Sequence, residues 1–482
     1  LSGSAWAWVL LALYGVVLVG LAPGAADRGG FYAGTDRRGR APSTWWLFAT
    51  IFIAWIFAKS VTNAANLGAT FGLPGAVAYA AYWLSIPVAG LVVVWVRRRH
   101  GATSLPGWLL SRYGRAAAAT FMLAILIRLY NEVWSNTAVV GAFFGDKGTP
   151  GYYAGALGFT ALTLAYTLKG GLRTSIWTDA IQAGVFGAFL VLVLALALPV
   201  AGSGDVRAYA TSGEWTMVGG VDLLLVAMLQ SLSYPFHDPV LTDRGFLSDT
   251  RTTLRAYFLA GGLGAVAIVL FGLVGVTAFL SGLPVQDDAP RAVAASLGTL
   301  VLVTINVIML SSAGSTVDSA LSSVSKATSL DIPGVAGWRP RGVSAGRVTM
   351  VAMAVLGSLP LFTGATVLQA TTISGTMVLG LAPVFLLGLV LRAPPAAFHL
   401  AFWTGIVAGT TEVLGRVPQW MAIGDGRYGS LLGVNVWGTG VATTLFLLAW
   451  GWTRVRRAPG GGEGLPAGVA RGDGLVGLGS GR

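Results

Sequence analysis

The sequence predicts an all-α polytopic membrane protein of thirteen transmembrane helices, built around a five-plus-five inverted repeat. Three observations carry this prediction. Apolar runs of about 20 residues, the length that spans a hydrocarbon core, recur from end to end. Of the 482 residues, 55% are apolar and only 10% are charged, whereas a soluble domain carries about a quarter charged residues. Two spans, the second and the seventh, are interrupted by polar or proline-rich runs at corresponding positions and enter from opposite sides of the membrane.

In chain order the spans read 4–22, 44–69, 73–97, 117–144, 151–168, 175–202, 219–248, 254–283, 290–325, 341–363, 366–391, 396–416 and 431–453. With the N-terminus outside, most of the 31 lysines and arginines fall in cytoplasmic loops and the C-terminal tail. That asymmetry fixes N-out, C-in in a cell (inner) membrane. The net charge of +12 is therefore topological and does not call for nucleic acid. Span one lacks a basic n-region and is followed by Arg28, Arg37, Arg38 and Arg40, which suits an N-out anchor better than a signal peptide. Absence of cysteine excludes disulfides and thiolate metal sites. The Gly-rich stretch 458–482 cannot bury a core and is expected to be disordered.

Ionisable groups within spans are costly and tend to be functional. In span two, Lys59 to Thr70 hold Lys, Ser, Thr, two Asn and Gly, which predicts an unwound segment near 62–65 whose freed carbonyls face a cavity. Span four carries Arg128 and Glu132 at i, i+4, on one helix face, with Asn131 and Trp134 beside them. Span seven breaks at 233–239, where two prolines flank His237 and Asp238 and remove backbone hydrogen bonds. Span nine supplies the densest signal. Ser312, Ser315, Thr316 and Ser319 repeat at i, i+3, i+4, i+7 and share one face, with Asp318 beside them. Hard cations need such oxygen ligands, while small residues and hydroxyls also serve close helix packing. The stripe by itself leaves both open.

Residues 314–332, GSTVDSALSSVSKATSLDI, resemble the S-T-x-D-S…D-I run of the sodium/solute symporter family. Residues 166–182, YTLKGGLRTSIWTDAIQ, resemble that family's Y-T-x-x-G-G-L signature followed by W-T-D-x-x-Q. GLPGA at 72–76 and LAPVFLLG at 381–388 match smaller family features. The resemblance implies one Na+ between spans two and nine, held by the carbonyls of Thr62, Ala65 and Ser312 and the side chains of Ser315 and Thr316. Some members hold a second ion, through positions that match Asp179, Asp318 and Ser319. Ala64, Gly68 and Ala69 stand where proline and sugar carriers place their specificity residues, so neither specificity is inherited.

The expected function is sodium-coupled uptake of a small organic solute by alternating access, with helices 2–6 (44–202) and 7–11 (203–391) as the two repeats. Residues 1–43 and 392–457 are peripheral to that core. Candidate solute contacts are Asn63, Asn66, Asn131, Trp134, His237, Asp238 and Thr372. The partners are the solute and the bilayer, and a monomer suffices. Lys59, so near the cation ligands, is expected to pair with an acidic residue; unpaired, it would exclude Na+ and turn attention to protons. A transporter-like receptor and an intramembrane enzyme built on His237, Asp238 and Asp243 are the rival classes. The enzyme reading lacks metal-ligand spacing and a nucleophile motif.

Overall fold

The computed structural model describes residues 3–200, 206–285, 288–363 and 375–457. Its regular elements, among the described residues, are all helical. Among the described residues, seven helices are long and apolar enough to cross a membrane, and the bent pair Thr44–Ala54 and Ala58–Phe71 makes an eighth. Ala5–Leu21 and Met217–Gln230 are shorter apolar helices.

Polarity is inverted relative to a water-soluble protein. Val16, Val191, Val348 and Val455 are 73%, 69%, 68% and 73% exposed, while Lys59, Asp179, Ser312, Thr316 and Asp318 are wholly buried. Apolar side chains outward and charges inward is the arrangement that hydrocarbon solvent selects.

Span two is broken, but not where its polar residues predict. Helix Thr44–Ala54 ends and Ala58–Phe71 begins across a 59° bend, so Thr62 and Ala65 lie inside the second helix. The Ala58 N–H, which an unbroken helix would give to the Ala54 carbonyl, instead goes to Asn136 Oδ1 at 3.0 Å. The polar residues after the break mark a face buried against protein. Lys59 reaches Glu132, Asn63 donates to the Tyr79 hydroxyl at 3.2 Å, and Asn66 Oδ1 accepts from the Ala289 amide at 2.7 Å. Beyond Asn63, the Ala65 carbonyl packs against Gly275 so closely that a Cβ there would not fit.

Span seven breaks where expected. A 3-10 turn at Tyr234–His237 gives way to extended Asp238 (φ −99°, ψ 98°), then to the short helix Pro239–Thr242. The two breaks face each other: the Trp55 indole donates to Asp238 Oδ2 at 3.1 Å, and the Trp55 and Tyr234 rings lie 6.1 Å apart.

Span nine, read as one helix over 290–325, is divided. Gly298 (φ 96°, ψ −177°) separates Ala289–Leu297 from Thr299–Lys326, a conformation that glycine alone adopts without strain. The longer piece packs against the helices of spans four and six and against both halves of span two.

Candidate functional site

Two polar centres are buried in the bundle, one on each side of the span-two break. The first is a network of four charges. Lys59 Nζ donates to Glu132 Oε1 at 2.7 Å and to Ser135 Oγ at 3.1 Å. Arg128 pairs with Glu132 along one helix face and donates to Asp238 Oδ2 at 3.0 Å. All four side chains are at most 1% exposed, and two cations balance two carboxylates. Desolvation of each charge is offset only because its partner is buried beside it. Lys59 thus has the acidic partner that was expected, and its ammonium turns to span four, away from the span-nine hydroxyls.

Asp238 has no capacity left for a solute. Its Oδ1 accepts from the Val240 and Leu241 amides at 3.0 and 3.4 Å, and its Oδ2 from Trp55 and Arg128. Asn63 and Asn66 are likewise engaged within the bundle, as described above. Three other candidates converge: Asn131, Trp134 and His237 line one cavity of about 520 Å3, together with Arg128, Tyr130 and Phe402. His237 Nδ1 lies 2.6 Å from the Tyr234 carbonyl, which can only accept. Nδ1 therefore carries the proton, and Nε2, without a partner among the described residues, is left as an acceptor. Thr372 lies outside the described residues.

The second centre is the oxygen cluster between spans two, six and nine. The Ala54 carbonyl, released by the bend, receives the Thr316 hydroxyl at 3.3 Å, and the Ser312 carbonyl receives it at 2.9 Å. Ser315 Oγ donates to Asp179, which also accepts from the Thr50 hydroxyl. Asp318 accepts from Ser175 at 2.8 Å, Thr178 at 2.9 Å and Tyr166 at 3.0 Å. Ser315 therefore meets Asp179 and Thr316 meets Ala54 from adjacent positions of span nine, with Asp318 and Ser319 joined to Asp179 through Ser175. Thr62 and Ala65 lie within the helix Ala58–Phe71, and the span-two carbonyl that this cluster reaches is that of Ala54, eight residues before Thr62.

Arg244 stands inside the same cluster, donating to Ser319 Oγ at 2.6 Å and to Thr50 Oγ1 at 2.8 Å. The sequence reading does not single it out; in the fold it is 1% exposed. Its signal was its position, only five residues past Pro239, still within span seven. Ala54 carries no such signal, because a carbonyl acts here through the path of the backbone.

No family model matches the chain. It is 26% identical over 189 residues to the sodium/glucose cotransporter 4 of Danio rerio, covering 37% of this chain and 28% of that protein. It is 28% identical over 175 residues to the sodium/myo-inositol cotransporter 2 of Mus musculus, covering 34% and 24%. It is 25% identical over 233 residues to the high-affinity proline transporter PutP of Bacillus subtilis, covering 46% and 48%. The matched stretches span less than half the length of each of these relatives. Among solved structures, a Na+-coupled sialic acid symporter shares the fold with TM-score 0.69, 17% identity, and 92% and 98% of the two chains covered. Mhp1, a nucleobase-cation-symport-1 family transporter, does so with TM-score 0.55, 15% identity and 89% and 96% covered.

A helical bundle with two facing breaks and polar centres buried at them is the architecture found here, and the curated relatives are transporters rather than enzymes. The chain resembles the sodium/solute symporter family, to which those curated relatives belong.

Proposed function

We propose that this chain is a sodium-coupled symporter that carries a small organic solute into the cell by alternating access. Thirteen spans, with helices 2–6 and 7–11 as inverted repeats, would supply the two moving halves. The observation that carries the reading is the oxygen cluster at the span-two break. Ala54 and Ser312 offer carbonyls, Ser315 and Thr316 offer hydroxyls, Asp179 accepts from Ser315, and Asp318 lies beyond it through Ser175. These are hard, uncharged oxygens in a field of negative charge, the donor set that a small alkali cation prefers. Lys59, held by Glu132 and Ser135, does not compete for that place.

Between the two breaks, Trp55, Phe57, Tyr79 and Tyr234 leave a cavity of only about 20 Å3, too small for an organic solute. The larger cavity, bounded by Asn131, Trp134 and His237, is the solute site in this reading. Its neighbouring charges are already balanced, so the solute need not supply one.

Purified protein should gain thermal stability from Na+ and not from K+. Proteoliposomes with an inward Na+ gradient should accumulate whichever amino acid, carboxylate, ureide or sugar adds to that stabilisation. Uptake indifferent to Na+ but driven by an imposed pH gradient would overturn sodium coupling.

A further inference from the structure

The geometry points to Arg244 as a built-in cation: its guanidinium fills the pocket that would take a second sodium ion, so each transport cycle moves one sodium. This rests on the sodium-coupled reading and specifies its stoichiometry.

The pocket is made of Thr50, Ser175, Asp179 and Ser319, the oxygen groups that a second alkali ion would need. Arg244 uses them all. Nε donates to Thr50 Oγ1 at 2.8 Å, NH1 to the Val240 carbonyl at 2.6 Å, and NH2 to Ser319 Oγ at 2.6 Å. Asp179 Oδ2 and Ser175 Oγ lie 3.4 and 3.5 Å from NH2. A guanidinium stays charged under all conditions a protein survives, so this cation cannot leave by losing a proton. A free sodium placed among the same oxygens would meet it at van der Waals distance, in a medium that screens charge poorly.

Counting charges with both carboxylates ionised gives the same stoichiometry. Asp179 and Asp318 are wholly buried, and Arg244 is 1% exposed. One guanidinium against two carboxylates leaves a single negative charge, since the remaining partners of Asp318 are hydroxyls. The adjacent Lys326 binds Asp243 and Asp331 at 2.9 Å each, and that group is 11–18% exposed, nearer to water. One monovalent ion at Ala54, Ser312, Ser315 and Thr316 brings the dry cluster to neutrality, with the Ser315 hydroxyl linking it to Asp179. A second ion would leave an uncompensated positive charge, which an apolar interior disfavours.

The test is equilibrium binding of radioactive sodium, alone, to the purified full chain. The parent should saturate at one sodium per chain. Arg244→Met should bind two, Arg244→Lys should remain at one, and Arg244→Met combined with Asp179→Asn should return to one. A parent that binds two overturns the proposal and leaves sodium coupling standing; a parent that binds none overturns both. A folded Arg244→Met that still binds one shows that the guanidinium was not holding an ion's place. Should that variant fail to fold, the parent's count alone decides.

Discussion

Ser315 and Thr316 each do something that their side-chain chemistry alone did not specify. The hydroxyl stripe of span nine was legible as a face, but packing and ion binding write the same pattern into a sequence. What separates them is the Ala54 carbonyl 3.3 Å from Thr316 Oγ1, which no spacing on span nine reveals. Removing one neutral ligand should weaken Na+ binding by about 1–3 kcal/mol, or roughly tenfold in affinity. Ser315→Ala and Thr316→Ala should therefore raise the Na+ concentration for half-maximal stabilisation, while Ser323→Ala, about two turns further along, leaves it unchanged. Three variants indistinguishable from the parent would return the stripe to packing. Lys59 and Glu132 make a second case at this scale. Lys59→Met strands a carboxylate, and Glu132→Gln strands a cation, so each single variant should lose about 3–5 kcal/mol. The double variant restores neutrality, because Arg128 keeps Asp238. Its melting temperature in detergent should exceed that of either single variant; additive losses would mean that the pair is not coupled.

At the scale of elements, the two breaks show what a sequence can and cannot encode. Span seven carries Pro235 and Pro239 around its break, and proline leaves no amide to donate, so its position was readable to the residue. Span two breaks at Trp55, Ile56 and Phe57, three apolar residues with no breaker among them. Its polar run comes later, on a face that neighbouring helices satisfy. The cause of the bend lies on another helix, at Asn136, whose side chain takes the Ala58 amide at 3.0 Å and itself donates to Glu132. Asn136→Ala should leave that amide free to rejoin the Ala54 carbonyl. The break would then straighten and the cation cluster lose an oxygen. We expect Na+ affinity to fall about tenfold, on the scale of one lost polar contact. Equal Na+ affinity in the alanine variant would show that the bend is held by something other than this bond.

For the whole molecule, the ties between spans define which parts move together. Trp55 binds span two to Asp238 of span seven, and Arg128 binds Asp238 to span four. Spans four and seven carry the cavity walls at Asn131, Trp134 and His237. Span nine touches span two through the Thr316 hydroxyl at the bend, and a cation seated there would hold the two together more firmly. Sodium should then redistribute the molecule between states that differ in how open the cavity is, since a ligand shifts a conformational equilibrium by its differential affinity. The chain contains no cysteine, so one introduced thiol reports without background. Asn131→Cys should react with a water-soluble maleimide at a rate that changes about fivefold or more on adding Na+, the lower end of typical coupling between sites. K+ at the same ionic strength should have no effect. Ser104→Cys, at the half-buried N-cap of Leu105–Gly141, should react equally in both salts. Adding Thr316→Ala to Asn131→Cys should abolish the Na+ response at concentrations that saturate the parent. If Asn131→Cys reacts at one rate in Na+ and K+ alike, the cluster at Ala54 does not communicate with the cavity, and the coupling of ion to solute must run elsewhere.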